Sequence, residues 1–212
     1  MRKLNLINIS IFLLINIFFS SSLYSQINNT IAVKVGESLI TSIDIENEII
    51  TNLIISGREI NQANIDKNKN FSIKNLINKS IKRAEIKKYE IKDYNKQDLQ
   101  NYSNDIAKKL NTNSKGLKEI FKQFNANYEV FLEKHETELL WNTLIFQLYK
   151  NQININIVDV ENEFEKSKEN KNEKELKEIR TNILNKKKED KLNLFSRSHF
   201  LNLENTAFVK FQ

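Results

Sequence analysis

The chain has 212 residues, with 33 Lys and Arg against 27 Asp and Glu, a net charge of +6, and no cysteine. Without Cys there are neither disulfides nor thiolate metal sites, so the folded state must rest on burial alone. The positive excess is small and interspersed with acidic residues, which excludes the concentrated basic face of a nucleic-acid binder.

The first residues read as an export signal. Met1-Arg2-Lys3 is a basic start, an apolar run covers residues 9–19, and "SLYSQ" offers cleavage after Ser25. A spanning helix needs about 20 apolar residues. This run is shorter and interrupted by Asn16, so a cleaved signal over residues 1–25 is expected rather than an anchor. No Cys follows to carry a lipid. Loss of Arg2 and Lys3 lowers the net charge from +6 to +4.

Residues 31–49, "IAVKVGESLITSIDIENEI", break from the Lys/Asn/Ile background. Ile31, Val33 and Val35 alternate with Ala32 and Lys34, the period of a half-buried strand. Gly36-Glu37 supplies a turn, Leu39-Ile40 restarts the extended run, and Thr41 with Asp44 forms a capping box for a helix. That helix is predicted over residues 42–55, with Ile45, Ile49 and Leu53 on one face and Gly57 ending it. "REINQANIDKNKN" reads as a polar connector. Ser72 then caps a second helix over 73–90 carrying Ile73, Leu76, Ile77, Ile81 and Ala84. A third starts near Asn95 with Leu99, Tyr102, Ile106 and Leu110.

Leu117, Ile120, Phe121 and Phe124 follow the helical i, i+3, i+4, i+7 spacing after a Ser114 cap. Asn127 caps a long helix over 128–151, apolar on more than one side near "LLWNTLIFQLY", which belongs at the centre of a bundle. An extended Ile153-Ile155-Ile157 alternation leads to an Asp159 cap and a short helix with Val160 and Phe164. Residues 166–191 are charged and polar with a thin apolar seam. They are read either as a solvated helix or as an exposed linker. Finally "NTAFVKFQ" reads as a strand with no nearby partner. A lone hairpin is marginal in water, so hairpin and strand are expected to pair. The expected class is mainly α: a helical bundle with a small antiparallel sheet formed by a hairpin (about 31–41) and a C-terminal strand (about 206–211).

The order of "ITSIDIENEI", "SIKNLINKSIKRAEIKKYEI", "NSKGLKEIFKQFNANYEVFLEKHETELLWNTLI" and "INIVDVENEFEK" resembles the N-terminal chaperone domain of SurA-type periplasmic proteins. The ending "LENTAFVKFQ" looks like the C-terminal strand that completes that domain. The resemblance divides the chain into a signal (1–25), a SurA-like chaperone domain (26–168), a charged helical connector (169–195) and a closing segment that completes the core sheet (196–212). Parvulin-type prolyl isomerase domains usually stand where the connector lies. With no Gly and little strand pattern there, isomerase activity is not expected. What the resemblance implies is a periplasmic holdase for unfolded outer-membrane proteins or other exported polypeptides, without stable membrane insertion after signal cleavage.

No catalytic constellation emerges from the residues. His135 and His199 stand far apart, no His pair has metal-ligand spacing, and Ser198-His199 are merely adjacent. Glu161 and Glu165 lie among lysines, where helical surface pairing explains them. No nucleotide-binding glycine pattern occurs, so no catalytic residue, metal or cofactor is expected. Binding needs surface instead. Phe121, Phe124, Tyr128 and Phe131, read as partly exposed, are the expected client-binding residues, within an aromatic series that continues through Trp141, Phe146 and Tyr149. Two other classes stay open: an envelope adaptor that binds one folded partner, and a divergent prolyl isomerase.

Overall fold

In the computed structural model, which describes residues 29–168 and 172–212, the alternating stretch forms the expected hairpin. Strands β1 (Ile31–Val35) and β2 (Ser38–Thr41) pair antiparallel across Gly36-Glu37. Gly36 has φ +56°, the left-handed backbone that a glycine-first two-residue turn requires. Strand β3 (Val209–Phe211) lies antiparallel on the other side of β1, with Val33 opposite Phe211 and Val35 opposite Val209. The order β2-β1-β3 joins the two ends of the described chain in one sheet. The signal expected over residues 1–25 lies outside the described residues.

Seven α-helices accompany this sheet among the described residues: α1 (Ser42–Ser56), α2 (Gln62–Lys88), α3 (Lys96–Lys109), α4 (Ser114–Gln123), α5 (Tyr128–Tyr149), α6 (Ile157–Glu165) and α7 (Glu173–Thr206). The chain is mainly α with a small antiparallel sheet. Asparagine punctuates it. Thr41 and Asp44 cap α1 through the expected box, but Asn61, Asn95, Asn113, Asn127, Asn156 and Asn172 cap the other six. Each Asn side chain accepts a first-turn N–H that the helix cannot itself satisfy. Asn111 and Asn125 then take the left-handed conformation just beyond α3 and α4, the place glycine usually fills.

These caps overturn four expectations. The polar connector is short, because Asn61 starts α2 and residues 62–70 are its first turns. Ser72 is no cap but a wholly buried residue inside α2, where its Oγ accepts from Asn52 Nδ2 at 3.1 Å. Asn113 and Asn156 cap α4 and α6 in place of Ser114 and Asp159. The Ile153-Ile155-Ile157 stretch follows a 3-10 turn at Lys150–Gln152, runs extended at Ile153 and Asn156 without joining the sheet, and enters α6 at Ile157.

The interior has three apolar centres. Val33, Val35, Ile40, Ile45, Ile49, Leu53, Leu76 and Ile81 fix the sheet to α1 and α2. Ile54, Ala107, Leu117, Phe121, Ala126 and Phe131 join α1, α3, α4 and α5. Ile86, Trp141, Leu144 and Ile145 join α2 and α5 to the C-terminal half of α7 through Leu192, Phe195, Phe200 and Leu203. The 34-residue helix α7 is about 50 Å long at the usual rise. Its N-terminal half lies along α6, where Arg180 pairs with Glu161 and covers the Phe164 ring, and Lys187 meets Glu163 at 2.7 Å. Residues 173–195, expected as a charged helical connector, are helix, while 169–171 lie outside the described residues.

Pairing of β3 with β1 carries a stability consequence. Ala207 and Val209 pack on the sheet core, but Phe211 is 64% exposed, so the strand does not bury two large side chains as its alternation suggests. Deleting residues 207–212 is expected to lower stability by about 2–3 kcal/mol, from lost packing and an uncovered β1 edge. Urea unfolding reads this, and an unchanged midpoint overturns it.

Candidate functional site

An open groove of about 1190 Å³ lies where the hairpin turn and the approach to β3 overhang α2 and α5. One wall is α2, with Leu76, Ser80 and Ala84; the other is α5, with Val130, Thr137 and Leu140. Alternation explains its rim. With Val35 and Ile40 turned into the core, Leu39 must face out, and with Ala207 and Val209 packed inward, so must Phe208. Leu39 and Phe208 are 52% and 62% exposed. The Phe208 carbonyl accepts the Gly36 N–H at 2.9 Å, which ties this rim together.

The groove carries charge as well as apolar surface. Glu133 on α5 is paired closely with Arg83 and more loosely with Lys79, 3.9 Å away, both on α2. Burial pulls the Lys79 ammonium below its ordinary pKa, and the Arg83 guanidinium adds to the effect.

The four aromatics expected to bind clients are not brought together at a surface. Phe121 and Phe131 are 0% and 1% exposed. They pack with ring centroids 4.9 Å apart, and Tyr102 stacks on Phe131 at 5.6 Å. Tyr128 is half-buried, its hydroxyl 2.8 Å from Ser103 Oγ and its ring edge-on to Phe121. Only Phe124, just past the end of α4, is exposed. Helical spacing placed Phe121 on the inner stripe with Leu117, and the inner stripe of a short helix is its core contact. The missed residues are Leu39 and Phe208, whose outward facing follows from the strand alternation already noted.

The histidines are built into the packing. His135 stacks on Tyr102 with centroids 3.6 Å apart, and burial pushes its pKa below 6.5 against the opposing pull of Glu138 and Asp98. His199 stands in a line of three: Tyr149 Oη is 2.8 Å from Nδ1, and Glu85 Oε1 is 3.2 Å from Nε2. Burial, then Tyr89 and Glu85, push the Tyr149 phenol above its ordinary pKa. Beside this line, Trp141 Nε1 donates to Ser196 Oγ at 2.8 Å. Together these bonds fix α7 against α2 and α5.

Among the described residues no group of three or more His, Asp or Glu side chains is arranged to hold a metal ion. Among them, too, no helix is long and apolar enough to cross a membrane. No model of a known protein family matches the chain, and a search of curated proteins finds no match.

Proposed function

We propose that the protein is an exported holdase that shelters unfolded polypeptides, with unfolded outer-membrane proteins in the periplasm as its clients and no isomerase activity. The observation that carries this reading is the groove beside the sheet: about 1190 Å³, open to solvent, lined by Leu76, Ala84, Val130 and Leu140 among charged side chains, and rimmed by the exposed Leu39 and Phe208. Exposed apolar surface beside a concavity marks an interaction site. An extended chain presents apolar side chains and unpaired backbone groups, and a groove beside strands with free outer edges suits both. The export pattern at the N-terminus supports a client arriving unfolded in the periplasm.

The test is light scattering from a diluted, unfolded outer-membrane β-barrel, with and without the protein. Leu39→Ser and Phe208→Ser act on exposed side chains, so both variants should keep the wild-type melting temperature. Each is expected to weaken client binding by about 1–2 kcal/mol, since a tolerant groove shares its energy over many contacts. No suppression of aggregation by the wild type overturns the proposal, and so does full suppression by the folded double variant.

A further inference from the structure

A second cleft, of about 630 Å³, opens between the last turns of α1, the middle of α2, the end of α3 and α5. It differs from the groove in chemistry. Arg58, Lys79, Lys82, Lys109 and Lys134 line it, against the carboxylates of Glu48 and Glu138 only. The C-terminal ends of α1 and α3 also approach it. At about half a negative charge each, they reduce the excess of three positive charges to about two.

Two of the cations are satisfied. Lys134 Nζ binds Glu48 Oε1 at 2.6 Å and Asn52 Oδ1 at 2.8 Å, and Lys82 Nζ binds Glu138 Oε2 at 2.5 Å. Three are not. Arg58 has no ion-pair partner among the described residues. Lys109 meets only the Ile55 carbonyl, at 3.1 Å. Lys79 shares Glu133 at 3.9 Å with the closer Arg83. Burial, and then Arg83, lower the pKa of the Lys79 ammonium against the opposing pull of Glu48 and Asp44.

The remaining lining is rich in hydrogen-bond acceptors. Asn68 and Asn75 donate their amide N–H groups to the Asn64 carbonyl and to Glu48. Among the described residues their side-chain oxygens have no donor. Asn78 Oδ1 is buried and has no hydrogen-bond partner among the described residues, so a donor reaches it only when the side chain turns toward the cleft. Phe71, 57% exposed, shares a face of α2 with Asn75, Asn78 and Lys82 and supplies one aromatic surface.

We propose that this cleft binds an acidic pyranose, a sugar bearing one carboxylate or phosphate. The anion sits among Arg58, Lys79 and Lys109, the hydroxyls donate to the Asn68 and Asn75 side-chain oxygens, and one ring face lies on Phe71. A neutral sugar leaves the cations uncompensated. A bare phosphate leaves the acceptors and Phe71 unused, and a nucleobase brings few hydroxyl donors to an acceptor-rich wall. The volume falls in the usual range for a small-molecule site. The inference does not rest on the holdase reading.

Calorimetric titration of the full chain at low salt tests it, with glucose 6-phosphate, glucuronate, glucose, inorganic phosphate and AMP as probes. At least one of the two acidic sugars is expected to bind about tenfold more tightly than glucose, inorganic phosphate and AMP. Arg58→Gln and Phe71→Ala alter exposed side chains. Each is expected to weaken that binding about three- to tenfold at an unchanged melting temperature. No binding of either acidic sugar, or glucose binding as well as both, overturns the proposal. So does inorganic phosphate or AMP matching the better acid, or affinity that neither variant moves.

Discussion

Phe131→Ala is expected to destabilise the protein by about 3–5 kcal/mol, the range for truncating a fully buried phenylalanine. Phe131 is 1% exposed and touches the rings of Phe121, Tyr102 and Tyr128, whose centroids lie 4.9, 5.6 and 5.5 Å from its own. Its removal opens a hole where α3, α4 and α5 meet, and the surrounding rings are too stiff to close it. For a chain of this size the melting temperature should fall by roughly 6–20 °C. Phe124→Ala is the control. Its side chain is 41% exposed at the end of α4, and its loss should cost less than about 1 kcal/mol. Thermal unfolding of the two variants decides the matter. Equal, small shifts would return Phe131 to the surface role that its place in the aromatic series suggests.

Periodicity was the most legible signal in the sequence. The 2-residue alternation at Val33 and Val35 and the 3.6-residue stripe of Ile45, Ile49 and Leu53 gave the right elements, because burying a face leaves only those spacings. The pairing of the two ends followed by elimination, since neither the hairpin nor the last strand had another partner nearby in the chain. Helix starts were less legible. Ser72, Ser114 and Asp159 are sound capping residues, but Asn61, Asn113 and Asn156 precede them. In a chain this rich in Asn, the first residue able to cap ahead of a tolerant sequence is the one used. The start of α2 shows why tolerance matters. Residues 62–70 hold neither Gly nor Pro, so nothing stops the helix from extending back to Asn61 although its apolar stripe is sparse there.

Depth of burial was the least legible property. Spacing says that Phe121 and Phe131 face inward, but whether an inward face is covered depends on a helix distant in sequence. Here α3 supplies Tyr102 and α1 supplies Ile54. The same limit hid the polar cluster around Glu48. Its partners Ser72 (through Asn52), Asn75 and Lys134 come from two other helices, up to 86 residues away. From the sequence alone, Glu48 and Lys134 are two ordinary surface charges.

That cluster carries the second large effect. Glu48 is 4% exposed and receives Lys134 Nζ at 2.6 Å, with Asn52 Nδ2 and Asn75 Nδ2 at 3.1 Å each. Lys134 is 27% exposed along its side chain. The pair is therefore asymmetric. If Glu48 is neutralised, Lys134 can swing its ammonium toward water. If Lys134 is neutralised, the carboxylate has only two amides to compensate its charge. Lys134→Met, which keeps the aliphatic bulk, is expected to lose about 3–5 kcal/mol, the range for a buried charge stripped of its partner. Glu48→Gln should lose less, about 1–2 kcal/mol, because the amide can still accept from Asn52 and Asn75. The double variant is the decisive measurement. With no buried charge left, Glu48→Gln should restore at least half of what Lys134→Met removes, a coupling that a pair of independent surface charges cannot produce. Urea unfolding of the four proteins reads the coupling directly. Additive losses would mean that Glu48 reaches solvent, and that the packing of α1 against α5 rests on its apolar neighbours alone.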